Sequence, residues 1–168
     1  GGGDQPIVQS LRRRTVMKRK KVLFVCSGNT CRSPMAEAIF RAEIKRRKIK
    51  FVDAASAGIF AENSSGINEN SAACLAELGI DFSKFRPRQL KHKMIENSFL
   101  VICMTNSQSE LLDSFDNVHS VEEIAGFQIA DPYGQSLAVY RATADKIKIA
   151  VDKIIERYFS DSGEEPNH

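Results

Sequence analysis

The stretch Val22-Leu23-Phe24-Val25-Cys26-Ser27-Gly28-Asn29-Thr30-Cys31-Arg32-Ser33-Pro34 leaves this chain few folds to choose from. Four apolar residues run straight into a cysteine, and five residues later come Arg32, Ser33 and Pro34, where helical patterning begins. An unbroken apolar run of this kind fits a strand buried on both faces, as in a parallel sheet. Ser33 suits a helix N-cap and Pro34 the first helical position. The connecting loop then lies where backbone N–H groups and the helix dipole favour an anion. Gly28 and Asn29 tolerate the positive φ that curls such a loop around a bound group.

The same geometry gives Cys26 and Arg32 a chemistry. A thiol at a helix N-terminus, near a guanidinium, is expected to exist largely as thiolate, the nucleophilic form. Arg32 offers a planar fork that grips two oxygens of a phosphate and does not lose its charge. The Ser33 hydroxyl is placed to donate a hydrogen bond to the sulfur. Thiolate attack on phosphorus also needs an acid for the leaving group. Asp131, in the constrained turn Asp131-Pro132-Tyr133-Gly134, is the candidate, and the same carboxylate can then act as base on water.

The remaining elements alternate between strand and helix. Lys21–Cys26, Phe51–Ala57, Phe99–Met104 and Val118–Val121 read as strands. Helices are expected over Ser33–Lys48, with Met35, Ile39 and Ala42 on one face, and over Asn68–Leu78, closed by Gly79. Others follow over Lys91–Asn97, from a Thr105 or Asn106 cap to Phe115, and over Ser136–Phe159. The last carries an apolar stripe of Leu137, Tyr140, Ala144, Ile147, Val151, Ile154 and Tyr158, expected to pack on the chain's own sheet. Between them, Phe82–Leu90 is a loop rich in Lys84, Arg86 and Arg88. This pattern predicts a single-domain α/β three-layer sandwich, a parallel sheet with helices on both faces.

At 168 residues one domain is expected, and 42% apolar with 27% charged residues is ordinary for a globular chain. No apolar run is long enough to span a membrane, and no signal-peptide pattern opens the chain. Four cysteines (Cys26, Cys31, Cys74, Cys103) do not make a disulfide scaffold, and a working thiolate suits a reducing compartment, by default the cytoplasm. The net charge of +3 divides into +6 up to Lys21 and −3 beyond it. Residues 1–20 therefore read as a basic, poorly ordered leader, residues 21–159 as the domain and residues 160–168 as a polar tail. A short basic run of this kind is read as a solvated tail, so neither nucleic acid nor membrane is expected as a partner. His92 and His119 stand in no recognisable pairing with the loop.

Cys26-x5-Arg32-Ser33-Pro34, followed by Met35-Ala36-Glu37-Ala38, resembles the low-molecular-weight protein tyrosine phosphatase family, including its bacterial protein-arginine phosphatase branch. The likeness continues through Ser56-Ala57-Gly58 and Asp131-Pro132-Tyr133-Gly134. It implies a four-stranded sheet in flavodoxin-like order and a phosphocysteine intermediate on Cys26. Phosphate would be bound by Ser27, Gly28, Asn29, Thr30, Cys31 and Ser33 together with Arg32. Asp131 would be the general acid. No metal or cofactor is implied, and the expected partner is a phosphorylated protein; the oligomeric state is left open, with a monomer favoured because the last helix's stripe packs on the chain's own sheet. The loop after the second strand lines the mouth of the site, so Phe60 either walls the entrance or simply packs, and Tyr133 walls the other side. Cys31 is either a partner for a reversible disulfide with Cys26 or a small buried residue completing the loop.

Tyrosine-directed members carry a bulky apolar residue after the nucleophile, and the arginine branch carries threonine. Ser27 keeps the hydroxyl and loses the methyl. Tyr133 followed by Gly134 instead of a second aromatic also resembles the arginine branch. The lean is to phosphoarginine, with phosphotyrosine nearly level. Two alternatives stand beside it. One is a thioredoxin-coupled arsenate reductase-like redox enzyme, for which Cys103 lacks a nearby partner cysteine. The other is a non-catalytic phosphate-binding regulator.

Overall fold

The computed structural model describes residues 19–159. The basic run before Arg19 and the tail from residue 160 lie outside the described residues. Four strands, β1 (Lys20–Cys26), β2 (Val52–Gly58), β3 (Leu100–Cys103) and β4 (Val118–Ser120), form one parallel sheet in the order β2-β1-β3-β4. This is the expected sandwich and strand order. The order reverses at β1, and the carboxyl end of a strand at such a switch point is where open α/β sheets place ligands. Register sets Cys26 opposite Gly58 on one side and Val25 opposite Cys103 on the other.

Alternate residues of β1 face opposite layers. Val22 and Phe24 join a core with α1 (Arg32–Arg46), α2 (Glu69–Glu77) and the long α6 (Leu137–Tyr158). Leu23 and Val25 join a second core with Ile95, Val101 and Cys103 beneath α3 (His92–Glu96) and α4 (Asn106–Glu110). The predicted stripe of α6 is buried at Tyr140, Ala144, Ile147, Val151 and Ile154, with Leu137 and Tyr158 half-buried. Just past its end, the Phe159 ring lies edge-on to Phe40 and Phe51, 6.2 Å from each. On α1 the buried face runs through Met35, Ile39, Phe40, Glu43 and Ile44, and the expected Ala42 is exposed.

Local chemistry sets the ends of these elements. Asn68 caps α2 by accepting from the N–H groups of Asn70 and Ser71. Gly79, at φ +75°, closes that helix with Gly79 N–H to Ala76 O and Ile80 N–H to Leu75 O. A short helix α5 (Val121–Ala125) occupies a stretch read as the end of a strand and a loop. Ser120 caps it in a reciprocal box with Glu123, and Gly126 ends it in the left-handed region.

Strand β2 is an edge of the sheet. Its outward carbonyl at Ala54 accepts two bonds from the Arg41 guanidinium, at 2.6 and 3.2 Å. Further along, Gly58 N–H donates to Arg88 O and Leu90 N–H donates to Gly58 O, both at 2.8 Å.

Candidate active site

Cys26 ends β1, and α1 begins at Arg32, so residues 27–31 form the loop between them. Apart from that of Asn29, the backbone carbonyls from Cys26 to Cys31 point outward to partners. Cys26 O accepts from Ile59 N–H, Ser27 O from Phe60 N–H and Thr30 O from Asn68 N–H, at 2.8–3.0 Å. Gly28 O accepts from the Ser64 hydroxyl at 2.8 Å, and Cys31 O accepts from the Ser71 hydroxyl at 3.4 Å. Among the described residues, no backbone N–H from Ser27 to Arg32 donates to another protein group. With these carbonyls turned outward, the loop leaves a run of backbone N–H donors for an anion, at the start of a fifteen-residue helix.

Two local expectations need correction. Ser33 does not cap α1. Cys31 holds the cap position without a side-chain bond, and Pro34 is the third helical residue, where its missing N–H costs nothing. The Ser33 hydroxyl, fully buried, is committed elsewhere: it lies 2.8 Å from Cys26 Sγ and 2.8 Å from Asn29 Nδ2. Of the two residues expected to accept positive φ, only Asn29 does so, at φ 55°. Asn29 is 0% exposed, and its side chain accepts the Arg88 N–H and donates to Ser56 Oγ.

Arg32 is buried, and its guanidinium donates to Ile129 O at 3.0 Å and stands 3.8 Å from an Asp131 oxygen. The Asp131 carboxylate is half-exposed and accepts the Tyr133 N–H at 3.1 Å. The two ends of the chain's chemistry, roughly a hundred residues apart in sequence, are thus joined by one ion pair. Ser27 and Thr30 are half-buried, and the Ser27 hydroxyl accepts from Gln108 Nε2 at 3.2 Å. Phe60 and Tyr133 are 76% and 72% exposed, so the reading of Phe60 as plain packing fails.

Two of the other cysteines, Cys103 and Cys74, are not poised for chemistry. Cys103 is completely buried at the end of β3, and desolvation pushes its thiol up to about 12. Burial likewise raises the Cys74 thiol. Cys31 Sγ is 3.5 Å from the Tyr140 hydroxyl, whose pKa is raised first by burial and then by that contact. His92 stacks edge-on to Phe115 and His119 pairs with Glu123, both away from the loop.

Several supporting residues were given no role in the sequence reading. Ser56, Gly58, Arg88, Gln89 and Gln108 contact the loop or the turn beside it, and Glu37 reaches the loop through Ser56. Gln89 Oε1 accepts from Ala61 N–H and its amide donates to Ile59 O, both at 2.7 Å, fixing the turn that carries Phe60. The signal that would have found them is a polar side chain at a position that the periodicity buries, which Glu37 and Ser56 both fit.

Comparison with known proteins agrees with this architecture. The family model for low molecular weight phosphotyrosine protein phosphatase matches residues 21–162. A protein-arginine-phosphatase of Geobacillus stearothermophilus is 32% identical over 145 residues, covering 82% of this chain and 95% of that protein. The crystal structure of a low molecular weight protein tyrosine phosphatase from T. tengcongensis is 38% identical with a TM-score of 0.77, covering 82% of this chain and 99% of that one. An arsenate reductase of Staphylococcus aureus is 30% identical over 141 residues, covering 84% of this chain and all of that protein. With a match that spans the whole sheet, the catalytic-type loop and the Asp-Pro turn, this chain belongs to the low molecular weight phosphotyrosine protein phosphatase family.

Proposed function

We propose that this chain is a metal-independent protein phosphatase working through Cys26, Arg32 and Asp131, with phosphoarginine as its preferred substrate and phosphotyrosine as the competing one. The observation that carries the chemistry is Cys26 Sγ lying 2.8 Å from the Ser33 hydroxyl beneath a loop whose backbone donors are free. The Cys26 thiolate attacks phosphorus and the bond from phosphorus to the leaving oxygen or nitrogen breaks, while Asp131 delivers its proton to the leaving atom. The Asp131 carboxylate then takes a proton from water, which attacks the phosphocysteine and releases the thiolate and phosphate. Arg32 and the loop N–H groups hold the equatorial oxygens throughout, a preorganised electrostatic role. Ser27, Gly28, Asn29, Thr30, Cys31 and Ser33 make up that cradle, and Phe60 and Tyr133 flank the entrance.

The preference for phosphoarginine rests on the half-buried hydroxyls of Ser27 and Thr30 beside the nucleophile. A guanidinium carries N–H donors that need acceptors at close range, whereas a phenyl ring is served by apolar walls. The neutral, buried Cys103 supports hydrolysis over a thiol relay to an arsenate-type redox partner. Burial of the α6 stripe in the chain's own core favours a monomer, and the working thiolate favours the cytoplasm. Among the described residues no helix is long and apolar enough to cross a membrane.

Side-by-side kcat/KM values on a phosphoarginine peptide and a phosphotyrosine peptide, in EDTA, test this reading. We expect the phosphoarginine peptide to be favoured about tenfold, the scale that one or two pocket contacts supply. A preference for phosphotyrosine would reassign the substrate, and turnover of neither would leave a phosphate-binding module. Asp131→Asn is expected to lower kcat by about 10²-fold or more on either peptide and to remove the acid-base dependence that the carboxylate imposes. An unchanged pH profile in that variant would take Asp131 out of the mechanism.

A further inference from the structure

The hydrogen bonds behind the catalytic loop have a direction, and it can be read from the atoms that have no choice. A backbone N–H only donates, so Asn29 meets the Arg88 N–H with its carbonyl oxygen, 2.8 Å away. Both hydrogens of the Asn29 amide therefore go to hydroxyls, Ser33 Oγ at 2.8 Å and Ser56 Oγ at 3.0 Å. Each hydroxyl has a single proton and, having accepted from Asn29, must send it onward. Ser33 sends its proton to Cys26 Sγ, and Ser56 sends its proton to Glu37 Oε1, 2.7 Å away. Asn29, Ser33 and Ser56 are 0% exposed, so no solvent stands ready to take either proton instead.

We propose that Glu37 is a positioning residue for the catalytic thiolate: by accepting the Ser56 proton it keeps the Ser56 oxygen open to the Asn29 amide, in the direction that the Arg88 N–H sets, and so holds in place the amide that keeps the Ser33 hydroxyl donating to Cys26. This rests on the reading of Cys26 as nucleophile given above. An ionised carboxylate only accepts, so the far end of the relay has one polarity. Without that acceptor the Ser56 proton is left facing an amide that is itself a donor. Asn29 then loses a partner, and its hold on the Ser33 hydroxyl weakens.

The carboxylate is kept in place against an energetic gradient. Glu37 is 5% exposed, and burial raises its pKa, opposed by the Ser56 bond, Arg41 and Arg88 and reinforced by Asp53. On its far side it opens on a cavity of about 580 Å³ that also carries Arg41, Asp81, Lys84, Arg86 and Arg88. A raised folded pKa means that the folded chain binds this proton more readily than the unfolded one. Stability therefore falls as pH rises from the unfolded value through the folded one, and it stays lower above that window.

Three variants separate this role from packing or charge. Arg41→Met serves as reference, because it removes the 3.4 Å ion pair to Glu37 and leaves the acceptor. Glu37→Met removes the acceptor at similar volume. Glu37→Gln combined with Arg41→Met restores a carbonyl acceptor for Ser56 with no competing guanidinium, at the expense of the charge. The first readout is the rate of iodoacetamide alkylation of Cys26 at about pH 6, which needs no turnover and follows the thiolate population. Thermal melting runs beside it, followed by kcat and KM. We expect Glu37→Met to slow alkylation about fivefold and to lower kcat with KM little changed, while the double variant matches Arg41→Met. Unchanged alkylation in folded Glu37→Met would overturn the proposal. So would a double variant that falls as far below Arg41→Met as Glu37→Met falls below the unsubstituted chain, since the requirement would then be for charge. Should Glu37→Met fail to fold, the comparison of the double variant with Arg41→Met still decides. If iodoacetamide finds no preferred target at Cys26 in the unsubstituted protein, it is the nucleophile assignment that fails.

Discussion

Cys26→Ser is expected to lower kcat by about 10⁴-fold or more while leaving the fold and phosphate binding in place. The size follows from two losses at one atom. A serine hydroxyl is intrinsically a far weaker acid and a poorer nucleophile toward phosphorus than a thiol. In the second half-reaction the sulfur must leave phosphorus, and an alkoxide is a far poorer leaving group. On the proposed mechanism the Ser33 hydroxyl, 2.8 Å from the sulfur, would act in both steps, so the effect is expected to exceed that of removing any supporting residue. Thermal stability should change little, because the smaller oxygen keeps a hydrogen-bonding partner in Ser33 and Cys26 is only one of many buried contacts in that layer. Single-turnover assays on a phosphopeptide, with phosphate binding measured by calorimetry, check both halves. Retained turnover would remove covalent catalysis at Cys26 altogether.

The second large effect is expected at Gly58. A methyl group there would lie 2.6 Å from Ser27 O, 2.8 Å from the Asn29 backbone nitrogen and 2.9 Å from the Ala61 Cβ. Two of these are backbone atoms of the phosphate loop itself, and none is the end of a flexible side chain that could swing away. Relief has to come from moving either the loop or the turn at residues 58–61, and these are tied together by the Ile59 and Phe60 N–H bonds to Cys26 and Ser27. Gly58→Ala should therefore lower kcat by about 10²-fold, the scale of an ångström's misplacement of reacting groups. It should also lower folding stability by about 1–3 kcal/mol, as overpacking does. The same substitution at Gly28 meets only ordinary contacts, the nearest at 3.6 Å, and makes a matched control for stability. Urea unfolding and kcat on a common peptide measure both quantities. Normal activity in Gly58→Ala would mean that the close approach is softer than its distances imply.

Much of the fold was legible because β1 and α6 carry long, unambiguous patterns: an unbroken apolar run and a stripe at spacings of three and four. The loop between β1 and α1 was legible because its chemistry is contiguous in sequence. What failed was local wherever a side chain had a stronger tertiary use than its propensity suggested. Ser33 looks like a cap and instead turns inward to the sulfur, and Ala42 fits a helical period and faces solvent. Helix α5 carried a capping box in Ser120 and Glu123 with Gly126 behind it, yet its single turn was too short to give a period. The relay from Glu37 to Ser33 joins residues 19 and 27 apart in sequence through Ser56, a polar residue in the middle of a strand, and no spacing rule reaches across that.

The exposed side of β2 has a consequence for the protein's behaviour at high concentration. An edge strand is a template on which another chain can hydrogen-bond, the first step toward edge-to-edge aggregation. Here the Arg41 guanidinium occupies the Ala54 carbonyl, and the Arg88–Leu90 segment occupies Gly58. At the opposite margin β4 is only three residues long. The groups that brace the phosphate loop from behind therefore also deny a neighbouring molecule its first hydrogen bonds, so loosening them would convert a catalytic defect into a solubility defect.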